Sequence, residues 1–307
     1  TYSMVIIMSF LMMGMVSVML PRADVAAQRV NEVLETSVSI GDPDDAVAAK
    51  LAGSKGARIE FRDVTFAYDK GSEPVLKNVS FVAEPGKTTA IIGSTGSGKS
   101  TVIKLIERFY DVTSGAVLLD GVDVRRFAQR DLRAQLGYVP QKAFLFSGTV
   151  RSNVAYADES MDAEQVALAC DIAQASEFVE SRPEGLEAEV SQGGSNVSGG
   201  QRQRLSIARA LACDARVLLF DDSFSALDYK TDARLREGLA KHLGSKTVII
   251  VAQRIATVLS ADRIVVLENG CMVGCGTHEE LMASCETYQE IALSQLSEEE
   301  LKGGDSR

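Results

Sequence analysis

The residues with the clearest chemistry lie in TTAIIGSTGSGKSTVIKLIERFY, residues 88–110. Thr89 to Ile92 read as a short apolar strand, Gly93 to Gly98 as a glycine-rich turn, and Lys99 to Phe109 as an amphipathic helix. In the spacing G-x-x-x-x-G-K-S, the glycines Gly93, Gly96 and Gly98, with Ser94, Thr95 and Ser97 between them, let the backbone bend its N–H groups around phosphate oxygens. The following helix points its positive end at the same place. Lys99 supplies a full charge to the outer phosphates of a nucleotide, the Ser100 hydroxyl can ligate Mg²⁺, and Thr101 continues the motif. The run is a phosphate-binding loop, which by itself leaves kinases, GTPases and motor ATPases open.

A second carboxylate narrows the choice. The apolar run Arg216 to Phe220 ends in Asp221 and Asp222, as a buried strand would if it delivered acids to the nucleotide edge of a parallel sheet. Asp221 is then the Mg²⁺ acid. Between the two motifs lies NVSGGQRQRLSIARAL, in which Ser198, Gly199 and Gly200 precede a helix expected from about Gln201 to Cys213. Free N–H groups and a hydroxyl at that helix start make a second anion site. Two helix starts attached at different places in one fold do not easily converge on one phosphate, so the second site invites a partner's nucleotide.

These strings resemble the nucleotide-binding domain of ATP-binding cassette (ABC) transporters, in the family's order and spacing, over about residues 57–290. The resemblance implies an α/β fold: a P-loop NTPase core with an antiparallel β subdomain and a helical signature subdomain. It implies ATP and Mg²⁺ as ligands. Gln141, in YVPQKAFLFSGTVRSNV, sits at the family's Q-loop, which contacts the metal and water, and Tyr68, in FRDVTFAY, matches the aromatic that stacks on adenine. Ser198, Gly199, Gly200 and Gln201 match the signature that completes a partner's ATP site. Ser225 to Asp228 match the loop at the dimer interface, and Glu189-Val190 lies where exporters meet their membrane domains.

Two departures from the family pattern fall on one nucleotide site. The glutamate expected after the metal aspartate is Asp222, one methylene shorter, and a displacement near 1 Å can cost roughly a hundredfold in rate. The switch histidine expected after KTVIIVA is Gln253, which can hydrogen-bond a γ-phosphate but cannot carry charge. The chain is therefore expected to be the degenerate half of a heterodimeric exporter, binding ATP through its own loop, hydrolysing it poorly, and completing a competent site on a different second half-transporter. The alternative is a homodimeric exporter in which Asp222 supports hydrolysis.

The elements that precede the cassette fit a membrane setting. Residues 1–20 carry no charge, and twenty helical residues at about 1.5 Å each span roughly the 30 Å of a bilayer core. Met4, Met8, Met12, Met15 and Met19 line one face of that helix, and Pro21, Arg22 and Arg29 favour the cytoplasm on its C-terminal side. Residues 21–56 are expected to extend the helix and then form a linker through GDPDDAVAAKLAGSKG, and residues 291–307 to form a charged tail. This resembles the last membrane helix of a multi-pass exporter with a cytoplasmic ATP-binding domain, in contact with lipid and with a transported substrate of unknown identity. A soluble ABC ATPase of DNA repair or translation, or an importer's separate ATPase, would not begin with such a helix. A formal charge of −10, from 42 acidic against 32 basic residues, argues against nucleic acid as a partner. Five cysteines without a CxxC pair fit reduced thiols.

Overall fold

The computed structural model describes residues 2–47, 56–242 and 244–295. The linker residues 48–55 and the tail residues 296–307 lie outside the described residues. The chain forms two units, residues 1–41 and residues 42–307.

The first unit is one helix, α1 (Tyr2–Glu35), with no buried residue along its length. The helix runs through Pro21 without a break, so the apolar run and the amphipathic run after it are one element. Among the described residues it is the one helix long and apolar enough to cross a membrane. Its exposed side chains include Met4, Met8, Met12, Met15 and Met19. An apolar surface of this length is not stable against water without lipid or other helices.

The second unit is built on two sheets. After β1 (Ile59–Phe66) and β2 (Leu76–Ala83) come the loop strand β3 (Thr88–Gly93) and helix α2 (Lys99–Ile106), then β4 (Ser114–Leu119), β5 (Val122–Asp123), α3 (Gln129–Arg133) and β6 (Leu136–Val139). A helical region follows, made of β7 (Gly148–Thr149), α4 (Val150–Val154), α5 (Ala163–Ile172), α6 (Ser176–Glu180), β8 (Glu189–Val190) and α7 (Gly199–Ala212). The chain returns through β9 (Val217–Asp221), α8 (Tyr229–His242), β10 (Thr247–Val251), α9 (Ile255–Val258), β11 (Arg263–Glu268) and β12 (Cys271–Gly276), and ends in α10 (His278–Ser284) and α11 (Glu286–Gln295).

Strands β2-β1-β4-β5 make an antiparallel sheet, and β12-β11-β3-β10-β9-β6 make the main sheet, parallel except at its β12 edge. The main sheet is covered on both faces, which is why its central strands read as continuous apolar runs. Alternation still sorts them. Ala90, Ile92, Leu218, Phe220, Val248 and Ile250 face the helical side, and Ile91, Val217, Leu219, Ile249 and Val251 face the antiparallel sheet and α2. The expected fold class is the one observed.

Three local boundaries differ from the expectations. Helix α2 stops at Ile106, not Phe109, because Arg108 turns to φ +53 and buries its guanidinium, donating to Phe127 O at 3.2 Å and to Asp111 Oδ1 at 3.0 Å. Residues 42–47 of the expected linker run along the cassette, where Asp42 Oδ1 accepts from the backbone N–H of Gln129 at the start of α3, and Val47 N–H donates to Arg126 O. Residues 291–295 of the expected tail belong to α11, anchored by the buried Ala292. The first two differences arise from contacts distant in sequence.

Candidate functional site

Parallel strands deliver their C-terminal ends to one edge of the sheet, and here β3, β9 and β10 bring Gly93, Asp221 and the segment leading to Gln253 together. A cavity of about 280 Å³ opens at that edge, lined by Val75, Thr95, Gly96, Gly98, Lys99, Ser100, Thr101, Gln141, Asp222, Val251 and Gln253. Gly98 precedes α2 with φ +96, and a Cβ there would come within 2.6 Å of Leu76 Cδ2, so the turn has no room for a side chain. Gly96, at φ +85, has open space where its Cβ would be. Gly96 lines the cavity, so the turn is open to it on that side.

The charged groups sit deep. Lys99 is buried, and its ammonium donates to the carbonyls of Gly93 at 2.9 Å and Ser94 at 2.7 Å. Burial lowers its pKa, opposed by the carboxylates of Asp222 and Asp221. Ser100 Oγ donates to Asp221 Oδ1 at 2.7 Å. Burial raises the Asp221 carboxyl, and the neighbouring Asp222 charge adds to the rise, against the Ser100 hydrogen bond. A hydroxyl and a carboxylate in contact, beside a second carboxylate, make a hard oxygen set with negative charge in want of a counter-charge. That chemistry fits a divalent cation such as Mg²⁺.

Asp222 is the hub of the site. Its backbone takes φ +47, a conformation aspartate adopts more readily than most residues, and its N–H is held by Val251 O at 2.9 Å. Gln253 Nε2 donates to Asp222 Oδ2 at 2.7 Å and Gln141 Nε2 to the same oxygen at 3.0 Å. Thus the three residues read as catalytic meet at one atom.

Tyr68 lies beyond the end of β1 and is 39% exposed. Its hydroxyl shares a hydrogen bond of 3.0 Å with Thr101 Oγ1, and Phe66 and Tyr110 pack edge-on at 4.9 and 5.0 Å between centroids. The Lys104 ammonium stands 5.5 Å from its centroid. The ring is fixed beside the loop while keeping surface free for a flat ligand.

Gly93, Ser94 and Ser97 build the loop without lining the cavity, and the Ser97 Oγ is buried inside the loop without a hydrogen-bond partner. Ser198, Gly199, Gly200 and Gln201 are not among the lining residues. They start α7 with a capping box: Ser198 Oγ accepts from Gln201 N–H at 3.3 Å, and Gln201 Oε1 accepts from Ser198 N–H at 2.9 Å.

The sequence reading missed Val75 and Val251 as the cavity's apolar wall. It also missed Glu107, the residue after α2, buried at 5% exposure with its Oε2 unpartnered. Burial and the Asp221 charge raise this carboxyl to about 8 against the opposing pull of Arg133. Its only signal was a charged residue at the end of the apolar VIKLI stretch.

Comparison with known proteins agrees with this geometry. Residues 76–225 match the family described as ABC transporter. The chain is 46% identical over 298 residues to an uncharacterized ABC transporter ATP-binding protein of Mycobacterium tuberculosis, covering 96% of this chain and 50% of the relative. It is 42% identical over 281 residues to the ATP-dependent lipid A-core flippase of Xanthomonas oryzae, covering 91% of this chain and 47% of the relative. A solved bacterial Atm1-family ABC exporter with ATP bound superposes with a TM-score of 0.82 at 33% identity, covering 91% of this chain and 49% of the exporter chain. The chain spans about half the length of the curated relatives it matches. Loop, acid strand, signature helix and fold coincide in one domain, which has the ATP-binding cassette fold and whose residues 76–225 match the ABC transporter family.

Proposed function

We propose that this chain is the ATP-binding part of an ABC exporter subunit, which holds MgATP at a slow site and completes a fast site on a different partner chain. In this reading α1 is the end of a membrane domain in contact with lipid, the cassette of residues 57–290 is cytoplasmic, and the transported substrate is met by membrane helices. Likeness to a lipid A-core flippase and to an Atm1-family exporter supports export as the direction of transport.

The observation that carries the slow-site reading is the double amide donation to Asp222 Oδ2. Hydrolysis needs a carboxylate free to take a proton from attacking water. In a short aspartate with one oxygen held by two amides, that oxygen is engaged by Gln253 and Gln141 instead of being open to an attacking water. Gln253 can orient a γ-phosphate through its amide but carries no charge to balance the transition state.

ATP would lie with its phosphates over the Gly96 to Thr101 turn and its adenine against Tyr68, with Lys99 exchanging its two carbonyl partners for phosphate oxygens. Ser100, Asp221 and Gln141 are the residues that would hold magnesium, which would supply charge neutralisation for the phosphates. Asp221, already bonded to the Ser100 hydroxyl, is the acid that would hold it. Gln141 uses its nitrogen on Asp222, so its carbonyl oxygen is the atom that can ligate a cation.

The start of α7 supports the division of labour. Ser198 to Gln201 present an anion-binding helix end outside this chain's own cavity, so their phosphate comes from another chain. The partner's hydrolysis would reset a dimer that this chain's ATP holds closed.

The test is turnover in the purified two-chain transporter. Asp222→Glu with Gln253→His should raise total ATPase activity, and removing the catalytic carboxylate of the other chain should abolish most of it. If that second change leaves hydrolysis untouched, or if this chain works briskly as two identical copies, the assignment of labour is wrong and the homodimeric reading stands.

A further inference from the structure

The loop that carries Gln253 is held from outside its own neighbourhood. Helix α9 starts at Ile255, a fully buried residue, and the residue before it, Arg254, has no side-chain acceptor to cap the helix. The first N–H groups of a helix require partners. Ile255 N–H finds one 40 residues downstream, donating to Gln295 Oε1 at 2.9 Å. The same side chain donates through Nε2 to the backbone carbonyl of Gln253 at 2.8 Å. The two bonds fix the orientation of the amide, since an N–H demands its oxygen and a carbonyl its nitrogen.

On the other side the loop is tied to the segment after Asp222. Arg254 donates through one guanidinium nitrogen to Ser225 O at 2.9 Å, and Ser225 Oγ donates to Asp222 O at 2.7 Å. Gln253 is thus bracketed by α11 on one side and by the Asp222 turn on the other. Its amide reaches Asp222 Oδ2 only while its own backbone is held in place.

We infer that Gln295, at the end of α11, is a positioning residue for Gln253: it clamps the backbone on both sides of Arg254 so that the Gln253 amide stays aimed at Asp222 and at the γ-phosphate position. This rests on the ATP-binding reading of the cavity. Gln295 does not itself line the cavity and reaches it through the Gln253 backbone, so its effect passes through Gln253. Because a γ-phosphate is what distinguishes ATP from ADP, the clamp matters for ATP and not for ADP.

The experiment is equilibrium binding of fluorescent ATP and ADP analogues, with Mg²⁺, to the full-length protein carrying Gln295→Ala, Gln253→Ala or both. Gln295→Ala should weaken ATP about three- to tenfold, the effect of one hydrogen bond's worth of order, and leave ADP unchanged. The double variant should be no weaker than Gln253→Ala alone. Gln295→Glu keeps an acceptor for Ile255 N–H but sets a carboxylate oxygen against the Gln253 carbonyl, so its loss of ATP affinity should be at least that of Gln295→Ala. An unchanged ATP-to-ADP ratio in Gln295→Ala, equal loss of both nucleotides, or additive losses in the double variant each overturn the inference. A wild-type protein that binds neither nucleotide removes the ATP reading itself and this inference with it, a result distinct from a wild-type binder with an insensitive Gln295.

Discussion

The Gln253 amide donates to the Asp222 carboxylate at 2.7 Å, joining the two positions at which the chain departs from the family pattern. The pairing has a direct kinetic consequence. Lengthening the acid and restoring a chargeable ring, as Asp222→Glu with Gln253→His, should raise turnover at this chain's own site by about ten- to hundredfold, because placement errors near 1 Å carry costs of that size. Gln253→Ala alone should lower ATP affinity without raising turnover. Single-turnover hydrolysis measured with the other chain's site disabled separates the two.

The signature helix predicts an effect on the opposite site. Ser198→Ala removes the hydroxyl that caps α7, at about 1 kcal/mol for the cap, and on the proposed reading a group that meets the partner's phosphate. ATP affinity at this chain's own cavity should remain unchanged, since Ser198 does not line it. Steady-state turnover of the assembled transporter should fall about tenfold. A loss of affinity at this chain's own cavity would contradict a site completed in trans.

Tyr68 separates stacking from hydrogen bonding. Its hydroxyl is joined to Thr101 at 3.0 Å, while its ring is held edge-on by Phe66 and Tyr110. If the ring carries the adenine, Tyr68→Ala should weaken ATP and ADP alike by about ten- to a hundredfold, the scale of base–aromatic stacking. Tyr68→Phe should stay within about threefold. Titration calorimetry with both nucleotides distinguishes these outcomes, and equal losses in the two variants would assign the effect to the hydroxyl.

The contrast between what could and could not be read from the sequence follows from range. Lys99, Ser100, Asp221 and the Ser198 helix start were legible because each motif joins a strand or turn to a helix within a few residues, and the backbone alone dictates what it does. The central strands were legible for the same reason, as doubly covered apolar runs. Gln295 was not, because its partners Gln253 and Ile255 lie about forty residues away and nothing in its local sequence marks it. The early end of α2 was hidden in the same way, by a guanidinium that folds back to Phe127 O. Asp222 and Gln253 were legible as types, but their convergence with Gln141 on one oxygen is a tertiary fact.

Glu107 gives the protein a predictable pH dependence of stability. Its carboxyl is raised from 4.5 to about 8, chiefly by burial and also by the Asp221 charge, against the opposing pull of Arg133. The folded chain therefore keeps a proton that the unfolded chain gives up above pH 4.5. The resulting stability is fully present below that pH and is lost progressively as pH rises through 8, by an amount on the order of 5 kcal/mol at most. Tyr138, half-buried nearby, feels the same environment: burial first, then the Glu107 and Asp221 charges, push its phenol upward. Glu107→Gln, which cannot ionise, should flatten the decline in melting temperature of the detergent-solubilised protein between pH 5 and pH 8 by about 5–10 °C relative to wild type. The slope is the decisive quantity, because an amide in place of the acid shifts stability equally at every pH through its own hydrogen bonding. Parallel pH profiles for the two proteins would mean that Glu107 is already ionised in the folded state.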